Sequence, residues 1–270
     1  MISYKVTAGT LCPGKGSIII RLALTILLIS IAVVTRAGTV SSQPVRIDSD
    51  GWVLRGDLQV PADSPTRAFA FLLHKASGDR SAYLQMADTM ARRGIASLRI
   101  DLRGHGDSTN LGAFDPDIGR YFDEDDPAIA ANFKLIRAGD RDIVAALRWL
   151  RDQPEYADLP LIMMGSSYTG EEMAEAGAEL GYADLYVALA PGNFSKESIR
   201  AIDGSNAAWL FVRAEIELPF FPALFDAIRG GSEKAEIWVL PGEGHATDLF
   251  DENPNLYLRL LDWIDEHLQT

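Results

Sequence analysis

Short apolar runs alternate with longer amphipathic segments from residue 68 to residue 268, and this alternation constrains the fold most. The runs are "AFAFLLH" (68–74), "IASLRID" (95–101), "LPLIMMG" (159–165), "LYVALAPG" (185–192), "AAWLFVRA" (207–214) and "AEIWVLPG" (235–242). Each is too short for a core helix and nearly unbroken, which suits strands buried on both faces. Between them, "RSAYLQMADTMARRG" places Tyr83, Met86 and Met90 on one helical face and stops at Gly94. "DRDIVAALRWLRDQ", "TGEEMAEAGAELG", "FFPALFDAIRGG" and "NPNLYLRLLDWIDEHL" also have helical spacing. Upstream, "VRIDSDGWVLRGDLQVP" alternates apolar and polar residues around Asp50-Gly51, the pattern of a β-hairpin. Strand and helix in alternation predict an α/β fold: a doubly wound, mainly parallel sheet of about eight strands with helices on both faces.

The first 37 residues follow another logic. They hold Lys5, Lys15, Arg21 and Arg36 and no acidic residue. Leu22–Val34 is apolar apart from Thr25 and Ser30, and small residues follow in "TRAGTVSSQP". A basic start, a short apolar stretch and a small-residue site make an export signal, with an uncleaved N-terminal anchor as the alternative. Ile18–Val34 spans 17 residues and is interrupted by Arg21, short of the ~20 that a spanning helix needs. The reading is therefore residues 1–37 as signal peptide or anchor and 38–270 as one folded domain, periplasmic or secreted. The only cysteine, Cys12, lies in the leader, so the rest has no thiol chemistry and no disulfide. The net charge is −13, which disfavours nucleic acid and anionic lipid as partners.

Two connections bear on function. Residues 107–138 read as long and irregular, and the run "FDPDIGRYFDEDDPA" within them holds six acidic residues (Asp115, Asp117, Asp123, Glu124, Asp125 and Asp126). A solvated surface excursion is the plain expectation, and a substrate lid or a calcium site are the alternatives. The 14 residues 193–206 join "LYVALAPG" to "AAWLFVRA", too few for a large cap domain.

"MMGSSYTG" (163–170) follows an apolar run and precedes a helix. A strand-to-helix turn that presents a nucleophile needs small residues two before and two after it. Ser167 has Gly165 and Thr169 there; Ser166 would have the bulky Met164 and Tyr168. Ser167 is thus the candidate nucleophile. Thr169 is β-branched, so crowding is expected at that flank, with Gly170 placed to relieve it. A serine needs a base. His245, in "PGEGHATDLF", sits after a strand, where reacting groups gather in parallel sheets. His267 lies near the C-terminus and is expected to be exposed. An orienting carboxylate falls between Ser167 and His245 in "WLFVRAEIELPFF": Glu217 is preferred for its place further into the turn before Pro219, with Glu215 retained and Asp203 weaker.

These segments resemble the α/β-hydrolase superfamily, and most nearly its compact, dienelactone-hydrolase-like or esterase-like members. "LLHKASGDRSAY" resembles the family's His-x-x-x-Gly loop, "LRIDLRGHGDS" its Asp-x-Arg-Gly-His-Gly-x-Ser segment, "MGSSYTG" its nucleophile turn and "VLPGEGHATDLF" its histidine loop. The resemblance implies catalysis by Ser167, Glu217 and His245, with the backbone N–H groups of Ala76 and Tyr168 as oxyanion donors. It implies loop-supporting roles for His74 and His105. Lys75, where many members have glycine, would bring a cation to the pocket rim, to meet an acidic substrate or to face solvent. The implied activity is hydrolysis of a small carboxylic ester (or lactone or amide) with no metal or organic cofactor. A non-catalytic binding protein of this fold, or an acyltransferase, are the competing readings.

Overall fold

The computed structural model describes residues 40–118, 125–180, 183–192, 194–220 and 235–268. The leader lies outside them, as does the helix expected in "FFPALFDAIRGG" beyond Phe220.

Eight strands form one sheet in the order β1-β2-β4-β3-β5-β6-β7-β8. They are β1 (Val40–Ser49), β2 (Trp52–Pro61), β3 (Ala68–Leu73), β4 (Ile95–Asp101), β5 (Leu161–Ser166), β6 (Leu185–Leu189), β7 (Ala208–Ala214) and β8 (Ala235–Leu240). The β1–β2 and β2–β4 pairs are antiparallel, and every later pair is parallel. Asp50 (φ 50°) and Gly51 (φ 84°) turn the β1–β2 hairpin, the left-handed pair that matches strand twist.

All six residues of β3 are buried, because the sheet is covered on both faces. Alternate residues feed separate cores. Phe69, Phe71 and Leu73 pack with Ile143 and Leu147 of α3 (Gly139–Arg151) and Met173 of α4 (Tyr168–Leu180). Ala68, Ala70 and Leu72 pack with Met86 and Met90 of α1 (Leu84–Arg92) and with Leu260 and Ile264 of the closing helix, Leu256–His267. Tyr83, Met86 and Met90 are all fully buried.

The 107–138 connection is not irregular throughout. It contains α2 (Pro127–Ile136), capped by Asp126, whose carboxylate accepts from the N–H groups of Ala128 and Ile129 at 2.8 and 3.3 Å. The buried Asn132 of that helix exchanges two hydrogen bonds with the Asp115 backbone and so pins the preceding loop. A further helix, α5 (Lys196–Gly204), fills the short connection before β7. No helix among the described residues is long and apolar enough to cross a membrane.

Candidate active site

The chain turns sharply from β5 into α4 at Ser167, whose φ is +58°. Backbone strain of this kind costs of order 1–3 kcal/mol in a non-glycine residue and persists only where neighbours enforce it. Here Ser167 N–H donates to Leu189 O at 2.9 Å, and Ser167 O accepts from Gly170 N–H and Gly192 N–H at 3.0 and 3.3 Å. A Cβ on Gly165 would lie 2.7 Å from Thr169 O, so the glycine before the turn is obligatory. The crowding expected at Thr169 does not arise. Its side chain is buried, and its Oγ1 accepts from Ser166 N–H at 2.6 Å. The hydroxyl faces Ser166 O at 2.9 Å and Leu73 O at 3.1 Å, so the turn is tied to the end of β3. Ser166 is fully buried, and its hydroxyl is hydrogen-bonded to that of Tyr83. Ser167 is half-buried.

On the far side, His245 Nδ1–H donates to Glu217 Oε1 at 2.5 Å. That bond fixes the tautomer and leaves the lone pair on Nε2. Nε2 has no partner among the described residues, and the His245 side chain is 45% exposed. No hydrogen bond links it to Ser167 among those residues. The histidine loop nonetheless returns to the nucleophile turn. Phe250 packs edge-on against Tyr83, the partner of Ser166, and Asp248 is bonded to Lys75. Ala246, next to His245, has φ +58°, so it too is a left-handed non-glycine residue.

Glu217 lies in the 3-10 turn Glu215–Phe220 directly after β7 and is nearly buried. Glu215 is exposed and makes no contact with a histidine. The N–H groups of Ala76 and Tyr168 have no hydrogen-bond partner among the described residues.

No family model matches this sequence, and no curated protein matches it in a sequence search. Solved structures do match its shape. A dienelactone hydrolase from Anabaena variabilis aligns over 85% of this chain and 97% of its own at 18% identity, with a TM-score of 0.63. A cold-adapted esterase from an Arctic intertidal metagenomic library aligns over 84% and 94% at 18% identity, TM-score 0.64. An alpha/beta hydrolase from Penicillium sp. sh18 aligns over 85% and 100% at 16% identity, TM-score 0.64. The chain has the α/β-hydrolase fold.

Within that fold, the "DLRGHGDS" segment is a structural knot. The buried Asp101 carboxylate accepts from Arg80 N–H at 2.7 Å and Asp107 N–H at 2.9 Å, and it also binds the Arg80 guanidinium. Gly106 has φ +48°, and a Cβ there would lie 2.2 Å from Asp101 Oδ2. His74 donates from Nδ1 to Lys75 O at 2.8 Å and accepts Leu102 N–H at Nε2 at 3.0 Å. Burial, with His105 beside it, lowers His74 to about 3 and keeps it neutral. His105 faces Arg103 O and Ala76 O with its two ring nitrogens, at 3.0 and 2.8 Å. Burial lowers its affinity for a proton, against the pull of those carbonyls.

Lys75 is engaged within the protein instead of pointing freely to solvent. Its ammonium donates to both oxygens of Asp248 at 2.5 and 2.6 Å. His267 is half-buried rather than exposed, stacked on Trp263 and bonded to its carbonyl at 2.8 Å. Asp203 belongs to α5, before β7. Of the acidic run, residues 119–124 lie outside the described residues. Among the described residues no group of three His, Cys, Asp or Glu is arranged to hold a metal.

Two charged groups near the turn were not singled out from sequence. Glu172 on α4 is buried and accepts Asp140 N–H at 2.9 Å. Burial raises it from 4.5 to about 8; the hydrogen bond opposes this, and Glu175, Asp140 and Glu171 add to it. Arg213, next to last in β7, is 1% exposed and lies 3.5 Å from Glu217 Oε2. Burial lowers it to about 10 against the attraction of Glu217, so it is cationic at neutral pH.

Proposed function

We propose that the protein is a serine hydrolase of small carboxylic esters. The reading rests above all on the His245–Glu217 bond, since a serine in a strand-end turn is common and a histidine so oriented is not. Ser167 Oγ attacks the ester carbonyl while its proton passes to His245 Nε2. The N–H groups of Ala76 and Tyr168 receive the developing oxyanion. Collapse expels the alcohol, which takes the proton back from His245 and leaves an acyl group on Ser167. Water, deprotonated by His245, then attacks the acyl carbon. The carboxylic acid leaves, and the proton returns to Ser167. Glu217 holds the imidazole and offsets its charge. The likeness to a dienelactone hydrolase and to esterases agrees with ester chemistry. The leader pattern supports export as part of the same proposal, and N-terminal sequencing of the mature protein tests it.

A fluorophosphonate probe tests the chemistry. Labelling at Ser167, lost in Ser167→Ala and kept in Ser166→Ala, is the expected result, together with hydrolysis of short-chain aryl esters. Folded protein that takes no label and hydrolyses none of these esters leaves a binding protein of this fold as the better reading.

A further inference from the structure

The scheme above makes no use of Arg213, yet a nearly fully buried arginine in an apolar strand is costly unless its charge is compensated. Its contacts say what compensates it. One guanidinium nitrogen lies 3.5 Å from Glu217 Oε2, an ion pair beyond hydrogen-bond length. Another donates to Pro191 O. The Glu217 carboxylate therefore stands between two groups: Oε2 faces Arg213, and Oε1 accepts from His245. Pro191 seats the nucleophile turn. Its Cβ lies 2.7 Å from where a Cβ on Gly170 would be, and Gly192 N–H donates to Ser167 O at 3.3 Å. One side chain thus touches the carboxylate that orients the histidine and the loop that supports the serine.

We propose that Arg213 is a positioning residue that registers the triad carboxylate against the nucleophile turn and shares its negative charge with His245. This rests on the assignment of Ser167, Glu217 and His245 above. A carboxylate flanked by a cation stabilises the imidazolium less than an unflanked one. Removing that cation is therefore expected to strengthen the pull of Glu217 on an imidazolium at His245. Among the described residues, the other charges on and against the His245 loop are Glu243 and Asp248, Lys75 paired to Asp248, and Glu252. The Glu252 carboxylate is taken by the N–H groups of Glu243 and Gly244. Variants at Arg213 alter none of these.

The test is an NMR titration of the His245 imidazole, assigned with His245→Gln, alongside the pH dependence of kcat/KM. Arg213→Gln removes the charge and keeps a donor toward Pro191 O. The expected result is a His245 midpoint and an acid limb both about 0.5–1 unit higher, with kcat at pH 6 reduced ~2- to 10-fold in step with that shift and KM within ~2-fold. Arg213→Lys restores the titration. A His245 titration in Arg213→Gln that superimposes on that of the wild type overturns the proposal. Should Arg213→Gln fail to fold, Glu217→Gln and the double variant Glu217→Gln/Arg213→Gln carry the test, since the double variant buries neither charge. Arg213→Gln should then add nothing to the effect of Glu217→Gln, and an added shift overturns the proposal. A wild type that neither labels nor hydrolyses esters, while Arg213→Gln still moves the titration, defeats the hydrolase reading and upholds the charge sharing.

Discussion

The loops after β3 and β4 and those after β7 and β8 leave the same edge of one sheet, and both sets bring histidines to it. Their polar atoms are used differently. In the first set, both ring nitrogens of His74 are taken by backbone groups, and Asp101 is saturated by Arg80 and Asp107. In the second, Glu217 takes only one nitrogen of His245, and the other is open to a half-exposed site. An imidazole with both nitrogens bound to backbone is a strut. An imidazole with one nitrogen held by a carboxylate can still accept a proton.

The sharpest way to break this comparison is to exchange the roles. His245→Gln should lower kcat/KM at least ~10³-fold and shift the Tm by no more than ~2 °C, because the side chain is half-exposed. The comparison fails if ester hydrolysis survives that change. Gly106→Ala probes the strut side. The added Cβ collides with Asp101 at a left-handed backbone position, so urea unfolding should register a loss of about 2–4 kcal/mol. Gly204→Ala meets open space and should stay within ~0.5 kcal/mol. Equal effects at the two glycines would mean that the Asp101 knot carries no special weight.

Glu172 gives the most pH-specific effect. Its folded-state value, about 8, lies above its ordinary 4.5, so the folded state holds the proton more tightly than the unfolded chain. Stability from this group is complete below pH 4.5 and declines as pH rises towards 8. Glu172→Gln retains an acceptor for Asp140 N–H and removes the titration. It should therefore stabilise the protein by about 1–3 kcal/mol at pH 8.5 and hardly at all at pH 4.5. Denaturation curves at the two pH values settle the sign, and an equal difference at both would refute the burial argument.

Much of the fold was legible because nearly unbroken apolar runs of six or seven residues have few homes other than a covered sheet, and β3 and β4 are buried at every position. The helix α2 escaped notice because acidic residues crowd its approach, although Asp126-Pro127 is a cap followed by a first-turn proline. Likewise Ser195 caps α5 through Ser198 N–H at 3.0 Å, a signal present in the sequence and not used. At the site, chain order and strand ends pointed to Ser167, Glu217 and His245, and the structure brings the last two into contact. The hydroxyl of Thr169 was read as bulk, because its partner Leu73 O lies 96 positions away. Arg213 was invisible for a similar reason: within "AAWLFVRA" it reads as the polar end of a strand, and only folding puts Pro191 and Glu217 around it.

The Lys75–Asp248 pair has a consequence for anyone recombining such scaffolds. It joins the segment preceding Ala76 to the segment following His245, across 173 positions of sequence. The two loops are therefore one exchangeable part, not two. Grafting residues 74–79 from a relative with glycine at position 75 would strand a carboxylate three residues from His245. A successful graft carries both ends of the pair, or changes Asp248 along with the loop.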